Sequence, residues 1–336
     1  VTLVAAKTEI TAGQARMIRS FCQSRGFDLV WLPDLNPDEI NNHHILEEPQ
    51  YYLGAAKLLG PENRRFVSSY IYDLTAPDDR KPFFHHFSRR PAMGDFAGHL
   101  GKRSRSYAEI GKLLLFAALG QAFVLALAFI VVPMIPAVGL PGSTSDHLLA
   151  IGFFSAIGCG FMLLEMGLLQ RLEIYLGHPV YAAAAVISGF LFFGGLGSIF
   201  RSRLKEPLLP RHCGVGFTIA ALAIVYLLLL DSFLVITESM NLPARLTIVM
   251  LVTAPIAMLM GMMFPLGLKR LGHGQTELIP WAWSVNGFTS VLATLLAPLL
   301  AMHWGFGTVL WTAAACYGLA ALLSMGLPAG YSRIHH

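Results

Sequence analysis

The chain has 336 residues, of which 55% are hydrophobic and only 13% charged, whereas a soluble domain carries about 25% charged residues. That composition excludes an ordinary water-soluble globule and points to a membrane protein. The formal charge of +4 is spread over short basic clusters beside apolar runs, which read as topology determinants, so no nucleic-acid partner is expected.

Residues 1–95 are soluble in character. TLVAAK (2–7) reads as a short strand, Thr11 as the cap of a helix over Ala12 to Arg25, and FDLVWLP (27–33) as a second strand. A helix near Pro49 to Leu59 follows, then another starting at Pro61. Two strands and a helix cannot bury a core alone, so this part reads as the last edge of an α/β domain. The start, Val-Thr-Leu-Val-Ala, has no Met and no charged segment before an apolar core. No signal peptide is expected, and the chain reads as the C-terminal part of something longer.

Residues 96–112 form a basic linker, with Lys102, Arg103, Arg105 and Lys112 just before the first apolar run. Seven runs close to the ~20 residues of a membrane-crossing helix then fill 113–328, before a tail at 329–336. They lie near Leu113 to Val132, Leu148 to Leu169, Val180 to Phe200, Cys213 to Phe233, Leu246 to Leu268, Trp281 to Met302 and Phe306 to Leu327. Pro255, Pro265 and Pro298 fall inside the fifth and sixth, where neighbouring helices or cavity water must satisfy the freed carbonyls.

The positive-inside count does not orient the bundle. Lys102, Arg103, Arg105, Lys112, Arg171 and Arg245 would share one face with the start of the first span, and Arg201, Arg203, Lys205, Arg211, Lys269, Arg270 and Arg333 the other. The two sets are nearly equal.

One carboxylate, Glu165, stands in the last turns of the second run, followed by Gln170, Arg171, Glu173 and a Gly-His-Pro break. An ionisable group inside a span is a functional-site candidate by default. On the sixth run Asn286, Ser290 and Thr294 share a face at i, i+4 spacing. Their two readings are hydrogen-bonded glue between helices and the lining of a polar cavity opposite Glu165. The intramembrane polar candidates are therefore Glu165, Gln170, Arg171, Asn286 and Ser290.

Small residues Ala185 and Gly189, Gly194 and Ser198, with Gly261, Pro265 and Gly267, suggest close helix packing, or else a hinge for alternating access. Trp281 and Trp283 sit where an aromatic belt would place them. His43 with His44, and His85 with His86, are adjacent pairs that do not converge on one ion, and no metal site is expected. Four cysteines lie far apart without CxxC spacing, giving neither a disulfide framework nor a zinc site.

Four motifs in order, GFMLLEMGLLQRLEIYLGHPVYA, SGFLFFGGLGS, MGMMFPLGLKRL and PWAWSVNGFTSVLATLLA, resemble the C-terminal membrane region of bacterial spermidine synthase-like proteins. In these an S-adenosylmethionine-type Rossmann domain, of the aminopropyltransferase or methyltransferase kind, is fused to multi-span segments. RSFCQSRGFDLVWLPDL, EEPQYYLGAAKLL and APDDRKPFF are similar to the tail that links the two. The resemblance implies a mainly α, polytopic helical membrane bundle of about seven transmembrane helices, preceded by a small α/β fragment of a Rossmann-like domain.

It further implies a multi-pass protein of the bacterial inner membrane whose N-terminal soluble part is cytoplasmic. The bundle would anchor the missing catalytic part, and bind or move a polyamine-like substrate or product. Asp78, Asp79 and Arg80 become candidates for the interface to that missing domain. The family's Gly-rich nucleotide turn would lie upstream, and no such turn follows a strand here, so no cofactor is expected in this chain. An alternative is a major-facilitator-like transporter half with a regulatory soluble domain, and a third reading is an anchor without a ligand.

Overall fold

The computed structural model describes residues 3–4, 6–32, 34–70, 73–77, 82, 106–138, 145–203, 212–271 and 276–327. The chain divides into two compact units, Val1–Ala76 with Phe87–Gly101, and Pro77–His86 with Lys102–His336.

The first unit holds α1 (Ala12–Arg25), a short 3-10 turn at Pro37–Glu39, α2 (Gln50–Leu59) and α3 (Asn63–Ser69). Thr11 starts α1 with a capping box: its hydroxyl accepts the Gln14 amide at 3.4 Å while the Gln14 side chain accepts the Thr11 amide at 2.9 Å. Gly26, at φ 66°, closes it in the left-handed conformation. The two expected strands are not found: no strand occurs among the described residues, and 27–32 runs without a ladder partner. The reason is physical, since a strand exists only as one member of a hydrogen-bonded pair, and the described part of this unit supplies no second member.

Side-chain chemistry ties the loop after α1. Arg19 donates from Nε to Glu39 at 2.8 Å and pairs with Asp34 at 3.2 Å, which holds both carboxyls below the ordinary range. Asp28 gathers the backbone amides of Asn42, His43 and His44 at 2.7, 2.8 and 2.5 Å. Desolvation alone would raise its carboxyl, but the three donations outweigh it and the net shift is downward. A depressed folded-state pKa means a contribution present above the unfolded value, near 3.9, and lost as pH falls through the folded one. Protection of the His43 and His44 amides, measured against the intrinsic exchange rate at each pH, should therefore fall below about pH 4, and Asp28→Ala should lower it at neutral pH.

The second unit is a helical membrane bundle. Its seven apolar helices, among the described residues, span Leu113–Pro136, His147–Leu176, Pro179–Arg201, Cys213–Thr237, Leu242–Leu271, Leu278–Trp304 and Phe306–Gly326. The first is composite: α4 (Ser106–Ala126) passes through a π turn at Leu127–Val131 into α5 (Met134–Val138), the Val132 amide reaching back to the Leu127 carbonyl at 2.9 Å. The others are α6 (Ser145–Leu176), α7 (Pro179–Arg203), α8 (His212–Thr237), α9 (Leu242–Leu271), α10 (Leu278–Trp304) and α11 (Phe306–Gly326).

The helix of the second span runs on to Leu176 instead of ending near Leu169, because nothing before Gly177, at φ 70°, breaks the backbone ladder. Glu165 consequently sits in the body of a long helix and not in its last turns. In lipid each helix satisfies its backbone groups within its own segment, so association rests on how closely the helices pack.

α6 is the central element, touching α7, α9, α10 and α11, while α7 lies along α9, α8 along α11 and α9, and α4 against α10. Half of α6's most apolar window is buried, 50% against 6% for the first span. Its buried side chains Phe153, Phe154, Leu163, Leu164, Leu168 and Leu172 belong to one continuous core with Tyr317 of α11.

Close packing explains the small residues. A Cβ on Gly197 would collide with the backbone of Met258, and one on Gly261 with the carbonyl of Gly194, so α7 and α9 meet backbone to backbone. Gly189 faces the Thr253 hydroxyl, and Gly267 faces the rings of Phe153 and Phe154. At Pro255, which cannot bond to the Leu251 carbonyl, the Tyr226 hydroxyl of α8 donates to the adjacent Val252 carbonyl at 2.6 Å. Trp281 is buried, whereas Trp283 is exposed and meets Phe264 edge-on at 4.4 Å. Gly261→Val should lower thermal stability in detergent by about 1–3 kcal/mol. Gly195→Val, where a Cβ meets nothing within 4 Å, should leave the melting temperature near that of the unaltered chain.

Candidate functional site

Helical geometry already separates the candidates on α6. At roughly 100° per residue, Gln170 lies about 140° and Arg171 about 240° round the axis from Glu165. The three side chains thus leave α6 in three directions.

Glu165 is partly buried in the body of α6, and no hydrogen bond or ion pair reaches its carboxylate among the described residues. It lies on the face that carries Phe154 and Gly158, three and two turns earlier. Asn286 and Ser290 belong to that earlier stretch. The Asn286 amide donates to the Phe154 carbonyl at 3.1 Å, and the Ser290 hydroxyl to the Gly158 carbonyl at 3.2 Å. Gly158 permits this, since a Cβ there would fall within 2.8 Å of Asn286 and Thr289. Thr289 and Thr294 instead return their hydroxyls to carbonyls of their own helix. Asn286 and Ser290 therefore join α6 to α10. The carbonyl that Asn286 reaches stands roughly 16 Å along the axis from Glu165, at 1.5 Å per residue.

Arg171 is buried, with 6% of its side chain exposed, and its guanidinium donates to the Asp231 carboxylate of α8 at 3.0 Å. The same corner holds Tyr175, whose hydroxyl donates to Thr237 Oγ1 at 3.0 Å, and Arg245, which donates to the Tyr175 carbonyl at 2.7 Å and lies 5.7 Å from its ring. Arg245 thereby satisfies one of the orphan carbonyls at the C-terminus of α6 and sits at the negative end of its dipole. At the other end of α9, Arg270 does the same for α11 through the carbonyls of Ser324 and Leu327. These arginines, counted in the sequence as topology signals, are also structural clamps.

Gln170 lines a cavity of about 450 Å³ together with Glu173, Ile174, Gly177, Pro179 and Phe306, with Pro82 completing the lining. The spacing 170, 173, 174 is one helix face. Among the described residues, Gln170 Oε1 is buried with no hydrogen-bond partner, and the Glu173 carboxylate has no ion pair. Asp78, Asp79 and Arg80 lie outside the described residues. The glycine cluster Gly194, Gly195, Gly197 is inside α7 with two members pressed against α9. No family model, curated protein or solved structure matches the chain.

Sequence reasoning passed over Asp231, Thr237, Tyr175 and the role of Arg245. Asp231 carried a usable signal, being a lone carboxylate inside the run VYLLLLDSFLV. No sequence spacing, however, connects it to Arg171 sixty positions earlier. Removing a partner from a buried ion pair costs about 3–5 kcal/mol, but Asp231 is half exposed, 51%, so about 1–3 kcal/mol is expected for Asp231→Asn. A double-mutant cycle with Arg171→Met, read by thermal melting in detergent, should return a favourable coupling between the two.

Proposed function

We propose that this chain is the integral membrane domain of a spermidine synthase-like fusion protein. It holds an aminopropyltransferase- or methyltransferase-like domain at the bacterial inner membrane and binds that domain's polyamine-like substrate or product. The observation that carries the ligand part is Glu165: a carboxylate in the body of the central helix, partly buried, without a cationic partner among the described residues. Leaving such a group unpaired in a low-dielectric setting is costly, and an ammonium group entering the bundle offsets that cost.

Two further features support the anchoring part. The motifs behind the resemblance fall on α6, α7, α9 and α10, the helices that build the centre of the bundle. The soluble unit keeps large apolar side chains in the open, Met17 at 70% and Leu59 at 65% exposure, as a fragment does when the rest of its core is supplied elsewhere.

Radiolabelled spermidine should bind saturably to the full chain in nanodiscs, with a loss of at least tenfold in Glu165→Gln. Equal affinity in the variant would remove the amine site and leave the anchor alone. A cytoplasm-active reporter fused after Gly101 should be active, since an S-adenosyl-dependent domain needs a cytosolic metabolite; a reporter active only outside would overturn the enzyme-anchoring reading.

A further inference from the structure

We propose that Cys159 of α6 and Cys316 of α11 form a binding site for a soft monovalent metal ion of the copper(I) kind, with the Met162 thioether as a third donor. The site begins at a glycine. A Cβ on Gly160 would stand 2.9 Å from the Tyr317 ring and 3.2 Å from the Cys316 Cβ, so α11 comes in close to α6 at the level where each helix carries its cysteine. The Cys159 and Cys316 thiols meet across this contact as hydrogen-bond partners, and neither is in a disulfide. Both helices are midway through their apolar spans at this point.

The sulfur supply on α6 continues past Cys159. At roughly 100° and 1.5 Å per residue, Met162 lies about 60° round the axis from Cys159 and about 4.5 Å along it, and Met166 about 20° round and about 10.5 Å along. Cys159, Met162, Met166 and Cys316 are all partly buried and pack on the same core, so one half-open strip of α6 presents a thiol and then two thioethers. Met162 is one turn from Cys159, where i, i+3 side chains are neighbours. Met166, a turn farther, extends the strip toward the end of α6 and gives an ion a way in. Thiolate and thioether sulfur is the donor set that selects copper(I). Zinc does not suit it: no group of three His, Cys, Asp or Glu side chains gathers among the described residues, whereas a structural zinc takes four ligands. Spacing agrees with an ion as well. Hydrogen-bonded thiols stand well beyond the ~2.05 Å of a disulfide, and an ion between them needs such a gap, each metal–sulfur bond taking about 2.3 Å. Binding passes thiol protons to the buffer and bridges two helices that already meet.

The inference uses neither Glu165 nor the family resemblance. The full chain in detergent, kept anaerobic and freed of reductant, is titrated with Cu(I), with Ag(I) as a redox-stable stand-in and with Zn(II) as the contrast. Native mass spectrometry counts the ions, ultraviolet absorption reports sulfur ligation, and thermal melting reports the bridge. One Cu(I) or Ag(I) per chain should bind with a thiolate-to-metal absorption band and raise the melting temperature, because an ion held only by the packed helices favours the folded state. Cys159→Ser and Cys316→Ser should each weaken binding at least tenfold and abolish the band, Met162→Leu should weaken it by less, and Cys22→Ser, Cys213→Ser and Glu165→Gln should leave it as it is. Zn(II) should bind at least tenfold more weakly than Ag(I). The metal-free melting temperature shows that each variant keeps its fold, and Cys159→Ala and Cys316→Ala replace any serine variant that does not. No binding or no band in the unaltered chain would overturn the proposal. So would a band that survives both cysteine variants, Zn(II) binding as tight as that of Ag(I), or equal affinity in Met162→Leu, which would break the three-sulfur set.

Discussion

At Gly158 the absence of a side chain lets α10 come close enough for Asn286 and Ser290 to reach the carbonyls of α6. Much else in the bundle depends on contacts of this kind. Hydrocarbon gives apolar helices little reason to prefer one another over lipid, so close approach and a few hydrogen bonds decide which surfaces meet. With α10 held on one side and α7, α9 and α11 on the others, α6 becomes the axis that carries Glu165, Gln170 and Arg171. The α7–α9 contact works by the same means without polar side chains: Gly194, Gly197 and Gly261 bring two backbones together. Tight crossings at both places give these small residues a packing role.

Polar groups are then sorted by position along the helices. In the centre, hydroxyls and an amide serve packing, donating to carbonyls of their own or the facing helix. Toward the end of α6 the groups are larger and charged. Arg171 pairs with Asp231 of α8, Arg245 of α9 clamps the last turn of α6, and Tyr175 links to Thr237. Long cationic side chains are tolerated here because each meets a carboxylate or an orphan carbonyl. What this sorting leaves over, among the described residues, are Glu165 in the body of the helix and the buried Gln170 side-chain oxygen near its end, acceptors without donors.

The topology question is changed by the same observation. A charge count treats each arginine as a mobile loop cation, yet Arg171, Arg245 and Arg270 are bound into helix ends or an ion pair. If the seven helices all cross, the start of α4, the ends of α6, α8 and α10 and the starts of α7, α9 and α11 share one face. The Arg171–Asp231 corner and the cavity beside Gln170 both belong to that face.

Much of this was legible in the residues alone. Apolar runs of about twenty residues set seven spans, because the bilayer thickness and the helix rise together demand that length. Thr11 marked the start of α1, since an N-cap is a local bond between neighbours in the chain. Glycine spacing on the third and fifth spans pointed to close packing for the same local reason. The length of α6 was not legible, because polar Gln170, Arg171 and Glu173 look like a loop until a neighbouring helix pairs one of them. Nor was the division of Glu165, Gln170, Arg171, Asn286 and Ser290 into separate places, or the partnership of Arg171 with Asp231. Those are facts about which helix faces which, and helix propensity and hydropathy carry no record of contacts between residues sixty or 130 positions apart. Such contacts are decided only when the helices pack, where backbone approach at a few glycines selects the partners.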